Sequence, residues 1–268
     1  MKKKLKKFLS GLMPKSNLKE RIKLTFYNLA AAKNTSFGMA AGKTGKLFKT
    51  RYNDLSFITK DPLYVIAEDF EFYQHFYKVK NGDVVMDAGA NNGYLSLLFS
   101  KLVGDNGKVY AFEPDSININ TIKVNIALND ISENIIIQDQ LLWNANILVD
   151  FYEAGTVGSS AIWMPDSDKV VKKQAVRIDD WVLQNNISKL DFIKMDIEGA
   201  EIEAIDGCVE TIKMLRPNFA IASYHIVNGE PTYIKMEEFF KKINYPFKTV
   251  KFKKNEIITF AGPSIVKG

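Results

Sequence analysis

The chain has 268 residues, 46% hydrophobic and 25% charged, enough for one sizeable core with an extension and short for two full domains. Its single cysteine, Cys208, excludes an internal disulfide framework and suits a reducing compartment, so a cytoplasmic protein is expected. Of the net charge of +5, residues 1–33 hold ten Lys or Arg against Glu20 alone, which leaves the rest net acidic and argues against a nucleic-acid groove there.

No run approaches the ~18 consecutive apolar residues of a membrane-spanning helix. At the amino terminus Leu5, Phe8, Leu9, Leu12 and Met13 fall at helical spacing among lysines. An unbroken apolar stretch is missing, so this is read as an amphipathic helix and not as a secretory signal. It either packs on the body or stays solvated, or it rests as a lysine-rich helix on an anionic membrane surface, here the inner one. A second stripe, Leu18, Ile22, Phe26 and Leu29, makes residues 1–33 two helical segments broken near Pro14. Residues 34–60 are rich in Gly, Thr and Lys and are expected to be loops or a short hairpin. Within them Gly38-Met-Ala-Ala-Gly42-Lys43-Thr44 imitates a phosphate-binding loop. It has three residues between its glycines where that motif has four, and no apolar strand precedes it. The expected organisation is a basic helical arm and loop, residues 1–58, followed by one domain, residues 59–268.

In the body a helix is predicted over Tyr64–Tyr77, and Asn81-Gly82 turns the chain into a strand at Val84–Asp87. A helix over Tyr94–Val103 is stopped by Gly104 and Gly107. A strand at Val109–Phe112 precedes a helix that Ser116 would cap, with Ile119, Ile122 and Ile126 on its apolar face. A third strand covers Ile135–Ile137, and residues 145–178 read as hairpin material with a polar insertion around Gly155–Lys169. Arg177-Ile-Asp-Asp180 begins a helix in which one Asp would be the cap. A fourth strand at Leu190–Met195 leads to a helix through Ile202, Ile205 and Val209. A fifth strand covers Phe219–Ala222, a helix Tyr233–Ile243, and two closing strands flank Lys253-Lys254-Asn255. Strands alternating with helices imply an α/β fold, a mostly parallel sheet covered on both faces.

Ligands bind such sheets at the carboxyl ends of their strands. There the first strand ends in Asp87-Ala-Gly89-Ala-Asn91-Asn92-Gly93, a loop whose glycines either admit a ligand to the backbone or simply turn the chain. The spacing differs from the Gly-x-Gly-x-x-Gly of dinucleotide sites, so Asp87 can face a zwitterionic amino-acid moiety where those sites cradle a pyrophosphate. After the second strand, Ala111-Phe112-Glu113-Pro114 offers a carboxylate that either accepts both ribose hydroxyls of a nucleoside or only starts a helix. Asp139, past the third strand, either meets adenine or is an ordinary loop residue.

The fourth strand ends in Lys194-Met-Asp196-Ile-Glu198-Gly-Ala-Glu201. Residues two apart on a strand share a face, so Lys194, Asp196 and Glu198 would project together into the mouth of the site. Charges rarely sit at the inner end of a parallel strand merely to pack. Lys194 either takes part or pairs with one of those carboxylates, and Glu201 reads as a first-turn helix charge. His225, after the fifth strand, is a general base, a metal ligand or a structural residue; His75 reads as structural.

In this order the three blocks Asp87–Gly93, Ala111–Pro114 and Lys194–Glu201 resemble the FkbM family of S-adenosylmethionine-dependent methyltransferases, over roughly residues 60–262. The resemblance implies a class I methyltransferase, Rossmann-like fold with a seven-stranded sheet whose last strand is antiparallel. It also implies O-methylation of a small-molecule or glycan acceptor, sugars and glycolipids among them. Carried across, Asp87, Gly89 and Gly93, with Asn91 and Asn92 in the same loop, would hold the cofactor's amino-acid part, Glu113 its ribose, and Asp196 and Glu198 would face the reaction centre. The family often has Ala-Leu-Ser-Asp where this chain has Leu141-Leu142-Trp143-Asn144, and Glu where it has Tyr224. An alcohol needs a base, which Asp196 with His225 or Glu198 would provide, or a divalent cation held by Asp196 and Glu198. Two rival classes are a nicotinamide-dependent oxidoreductase and a catalytically inactive membrane-surface binding protein.

Overall fold

The computed structural model describes residues 17–267 apart from 32–33, 43–45, 65–66, 130, 132, 156–157 and 253–255. The amphipathic helix expected within residues 1–13, and Lys43-Thr44 of the phosphate-loop imitation, lie outside the described residues. The chain divides into two compact units between Ala67 and Glu68.

In the first unit, helix α1 (Asn17–Ala30) is followed by strands β1 (Thr35–Ala40), β2 (Leu47–Tyr52) and β3 (Leu55–Thr59), which form an antiparallel sheet in that order. The expectation of loops or a short hairpin is thus corrected. Phe48, Thr50 and Tyr52 alternate inward along β2, and Asn53 takes the left-handed conformation (φ 50°) that reverses the chain into β3. A boundary after residue 58 would cut through β3. Asn28 ties α1 to the sheet by donating to the Phe37 carbonyl and accepting from its N–H, both at 2.8 Å.

All but the first residue of α2 (Ala67–Tyr73) belongs to the second unit, and the helix is shorter than predicted. Gln74 ends it: the side-chain amide donates to the Phe70 carbonyl at 3.2 Å and accepts the Val79 N–H at 3.1 Å, bonds that lead the backbone out of the helix. Then follow β4 (Val84–Ala88), α3 (Tyr94–Val103), β5 (Lys108–Phe112), α4 (Ser116–Ala127), β6 (Ile135–Gln138), β7 (Leu141–Leu142), β8 (Leu148–Tyr152) and β9 (Val170–Val176). The remainder is α5 (Ile178–Gln184), β10 (Phe192–Met195), α6 (Glu201–Asp206), α7 (Val209–Leu215), β11 (Asn218–Ala222), β12 (Ile226–Val227), β13 (Glu230–Pro231), α8 (Tyr233–Lys242), β14 (Phe247–Lys251) and β15 (Ile257–Ala261).

The main sheet has seven strands in the order β14-β15-β11-β10-β4-β5-β6, with β15 antiparallel to both neighbours and every other pair parallel. This is the doubly wound fold expected. Alternation along β5 shows its two covered faces. Tyr110 and Phe112 join a core with Trp181, Ile205, Ile212 and Phe240 from α5 to α8, while Ala111 packs with Ile122 of α4 on the other side. The expected hairpin is β8 and β9, with β7 added parallel to β9.

Three local expectations are corrected. The N-cap of α4 is Asp115, whose side chain accepts from the N–H groups of Ile117 and Asn118; Ser116 is the first helical residue. Neither Asp179 nor Asp180 caps α5. Instead Asp179 reaches across to accept the N–H groups of Thr211 at 2.7 Å and Glu210 at 3.1 Å, capping α7. The helix expected through Ile202, Ile205 and Val209 is broken at Gly207, where a Cβ would overlap the Trp143 carbonyl oxygen. The break lets that strand end approach.

Candidate active site

The register of β10 on β4 places Lys194 opposite Asp87 and Met195 opposite Ala88, so the ends of both strands meet at one edge. Asp87 is fully buried, accepts from the Ser96 hydroxyl at 2.6 Å, and pairs with the Lys194 ammonium at 3.2 Å. Lys194 also donates to the carbonyls of Ala88 at 3.2 Å and Gly89 at 2.8 Å. Burial works against its charge, but Asp87 and Asp196 outweigh it and hold the ammonium above its ordinary value. Two expectations change. Lys194 pairs with Asp87, not with Asp196 or Glu198, and it lies beneath the mouth. The carboxylate of Asp87, expected to face the cofactor, is spent on Lys194 and Ser96, where it pins the loop that follows it. The physical reason is the register: parallel partners on the same face meet inside the sheet before either reaches its edge.

That loop runs through left-handed residues at Gly89 (φ 76°), Asn91 (φ 51°) and Gly93 (φ 78°). At position 89 glycine is required by a close approach, since a Cβ there would overlap the carbonyl oxygen of Asp196. The N–H groups of Gly89 and Ala90 go to the Phe112 carbonyl at the end of β5. Asn92 is held through its carbonyl by the Asn125 amide at 2.9 Å. Glu113 receives the Asn91 N–H at 2.7 Å and the Asp115 N–H at 2.9 Å. Burial raises its carboxyl to about 7 against the pull of those two N–H groups. Asp139 is exposed just beyond β6. A left-handed loop past β4 thus lies beside an oriented carboxyl just past β5, with an exposed one just past β6.

Past β10 the strand alternation stops. Asp196 donates its N–H to the Ala88 carbonyl at 3.0 Å, and Glu198 turns in a left-handed conformation (φ 54°) that non-glycine residues rarely adopt. That turn, and not strand alternation, brings Asp196 and Glu198 together around His225. The His225 Nε2 lies 3.5 Å from Glu198 Oε2 and 3.7 Å from Asp196 Oδ1, and its Nδ1 lies 3.1 Å from Glu201 Oε1. Burial opposes protonation of the imidazole, but Glu198 and Glu201 overcome it and push its pKa up to about 11. The second oxygen of Asp196 accepts the hydroxyl of buried Tyr73 at 2.9 Å. Burial and Asp196 together hold that phenol above its ordinary value.

Three contributors were not read from the sequence. Glu201, taken for a helix-start charge, is fully buried, accepts the N–H groups of Ile197 at 2.9 Å and Gly199 at 3.3 Å, and faces His225. Tyr73 and Asp69 come from α2; burial, then Asp196, raises the Asp69 carboxyl to about 7. Their distance along the chain left no local signal. His75 sits among the rings of Phe76 and Phe252, at 4.7 and 5.4 Å between centroids, away from this cluster's contacts.

Comparison with known proteins adds the following. The model of the methyltransferase FkbM domain matches residues 87–247. The 31-O-demethyl-FK506 methyltransferase FkbM of Streptomyces tacrolimicus is 23% identical over 193 residues, which is 61% of this chain and 74% of that protein. The methyltransferase sdnD of Sordaria araneosa is 27% identical over 173 residues, 52% of this chain and 66% of that one. The 2-O-methyltransferase NoeI of Sinorhizobium fredii is 24% identical over 154 residues, 51% of this chain and 62% of that one. Among solved structures, methyltransferase FkbM of Methylobacillus flagellatus matches with a TM-score of 0.53 at 18% identity. That match covers 70% of this chain and 45% of the other, so the chain spans less than half of that protein, and the likeness is one of fold.

Proposed function

Because the chain belongs to the FkbM family of S-adenosylmethionine-dependent methyltransferases, we propose that it methylates a hydroxyl of a small-molecule, sugar or glycolipid-type acceptor. The observation that carries this reading is the gathering of Asp196, Glu198 and His225 at the carboxyl edge of the sheet, beside the loop of Gly89–Gly93. Relatives named for O-methyl transfer support the choice of oxygen. The same matches disfavour a nicotinamide-dependent oxidoreductase, and the intact cluster disfavours an inactive binding protein.

The cofactor, when bound, supplies a methyl group already activated on a sulfonium. Gly89, Asn91, Asn92 and Gly93 would hold its amino-acid part, Glu113 its ribose and Asp139 its base, with Asp87 and Lys194 fixing the loop from below. What remains for the chain is alignment, which can contribute up to ~7–11 kcal/mol, and removal of the acceptor's proton. Asp196 divides these duties by atom. Tyr73 occupies Oδ2, whereas Oδ1 is buried with no hydrogen-bond partner among the described residues and lies 3.7 Å from His225 Nε2. Oδ1 is therefore the base in this reading, and the His225 imidazolium balances the charge of Glu198 and Glu201.

We also assign to the first unit a contact with an anionic membrane surface. Ile22, Phe26 and Leu29 are exposed along one side of α1, in the segment that carries ten basic side chains. Among the described residues no helix is long and apolar enough to cross a membrane.

The test is calorimetry with S-adenosylmethionine and S-adenosylhomocysteine, followed by radiolabelled methyl transfer into fractionated hydroxylated metabolites and glycans. Binding of both ligands and label recovered as an O-methyl ether are expected. Label on nitrogen or carbon, or no binding, overturns the reading.

A further inference from the structure

The cluster at the mouth has a property that acid–base chemistry leaves unexplained: its polar atoms face one another without hydrogen bonding. We propose that Asp196, Glu198 and His225 form a divalent-cation site, with Glu201 behind the histidine as its orienting carboxylate. One carboxylate oxygen from each acid and one imidazole nitrogen all lie within 4.8 Å of one another. The two separations from Nε2, 3.5 and 3.7 Å, are too long for hydrogen bonds. They are close to the edge of a tetrahedral ligand set, roughly 3.4 Å when each ligand is about 2.1 Å from the ion.

The histidine supplies a second and independent observation. Its side chain is only 11% exposed, and its Nε2 is a buried atom with no hydrogen-bond partner among the described residues, as is Oδ1 of Asp196. Buried polar atoms are seldom left so, and an ion between these two would satisfy both. On the far edge of the ring, Nδ1 faces Oε1 of Glu201, itself held by the N–H groups of Ile197 and Gly199. Nδ1 is likewise without a hydrogen-bond partner among the described residues, and from 3.1 Å a small turn of the ring would let the carboxylate fix the tautomer and aim the lone pair of Nε2 at the metal. Tyr73 meanwhile occupies the other oxygen of Asp196, leaving Oδ1 for the ion. Lys194, two residues before Asp196 in sequence, is committed to Asp87.

Two carboxylates and one imidazole suit Zn²⁺, Mn²⁺ or Fe²⁺, and three protein ligands leave positions open, as in catalytic sites. The consequence for substrate rests on the transferase reading above; the ion site itself does not. An ion here would displace the proton from Nε2 and take Oδ1 as a ligand in place of its service as base; it would lower the pKa of a coordinated acceptor hydroxyl, whose proton then passes to solvent. A second open position would favour acceptors that present two adjacent oxygens, such as vicinal diols.

The experiment is titration of chelator-stripped full chain with MnCl₂, followed by the electron paramagnetic resonance signal of free Mn²⁺. Saturable binding of one ion per chain is expected. Glu198→Gln and His225→Gln should each weaken it at least about tenfold, and Glu201→Gln about 10–100-fold, while the exposed-surface change Glu238→Gln leaves it intact. Calorimetry with S-adenosylmethionine on each variant reports whether the fold survives. Should His225→Gln fail to fold, Glu198→Gln, at a side chain 34% exposed, decides. Absence of Mn²⁺ binding, or binding indifferent to Glu198→Gln, overturns the proposal. Saturable Mn²⁺ binding in a protein that transfers no methyl group would uphold the ion site and remove the transferase reading instead.

Discussion

Asp196 and Glu113 show how a carboxyl group is set to its task by what surrounds each oxygen. With Tyr73 on one oxygen of Asp196 and no hydrogen-bond partner on the other among the described residues, replacing Asp196 by Asn should lower kcat by roughly 10²–10⁴-fold. Affinity for S-adenosylmethionine should not change. Steady-state kinetics beside calorimetry check this, and a fully active variant sinks the assignment of the base. Glu113 gives a pH dependence. Burial raises its carboxyl from the ordinary 4.5 to about 7, so the ionised form, which in the proposed role would accept ribose hydroxyls, dominates only above that value. Cofactor affinity should fall about tenfold per pH unit below it, and Glu113→Gln should flatten the profile in calorimetry between pH 5 and 8. The sign for folding is opposite. In the cofactor-free protein this carboxyl's contribution to stability is fully present below its ordinary value and is lost as pH rises through about 7. Thermal melts across the same range should show the two trends crossing.

Two connecting elements control the mouth. The turn at Gly89 passes so close to β10 that no side chain fits. Gly89→Ala should cost roughly 1–3 kcal/mol from overpacking and a further ~1–2 kcal/mol from left-handed backbone, read by denaturant unfolding; an unchanged midpoint would mean that the two strand ends are not so close. The insertion between β8 and β9 is tied down at two places. Its Gly155 N–H and Ser159 hydroxyl donate to Asp115, the cap of α4, each at 2.7 Å. Its Ser160 hydroxyl donates to the Glu198 carbonyl at 3.1 Å and accepts the N–H groups of Ile162 and Trp163. This presents Trp163, 63% exposed, with Ile162 and Met164 as an apolar lip on the segment bonded to Glu198. Stacking on an indole is worth about 0.5–1.5 kcal/mol, so Trp163→Ala should raise the acceptor KM roughly 2–10-fold with little change in kcat. A fall in kcat alone would place the lip elsewhere in the reaction.

At the scale of the molecule, charge is divided between the basic segment of residues 1–33 and a net acidic remainder. Vesicles containing phosphatidylserine should bind the full chain at low salt and release it as salt rises, while neutral vesicles should not bind it. Phe26→Glu, at a side chain 63% exposed, should weaken that binding without altering methyl transfer to a water-soluble acceptor; equal binding to neutral vesicles would defeat the assignment. Much of the fold was legible along the chain, because apolar periodicity is a local property: alternating strands and helices such as Val84–Ala88 and Tyr94–Val103 announce a doubly wound sheet. The blocks at Asp87, Glu113 and Lys194 likewise carried the family in contiguous residues. The pairings were not legible. Which carboxylate neutralises Lys194 depends on the register of β10 against β4, and the arrival of Tyr73 and Glu201 at the cluster depends on packing between segments far apart. Asp179 capping a helix other than its own is the same case. Periodicity states which side of an element is buried. Which residue of another element it meets there is settled only when register and crossing geometry place the two together, and the chemistry of this site is made of such meetings.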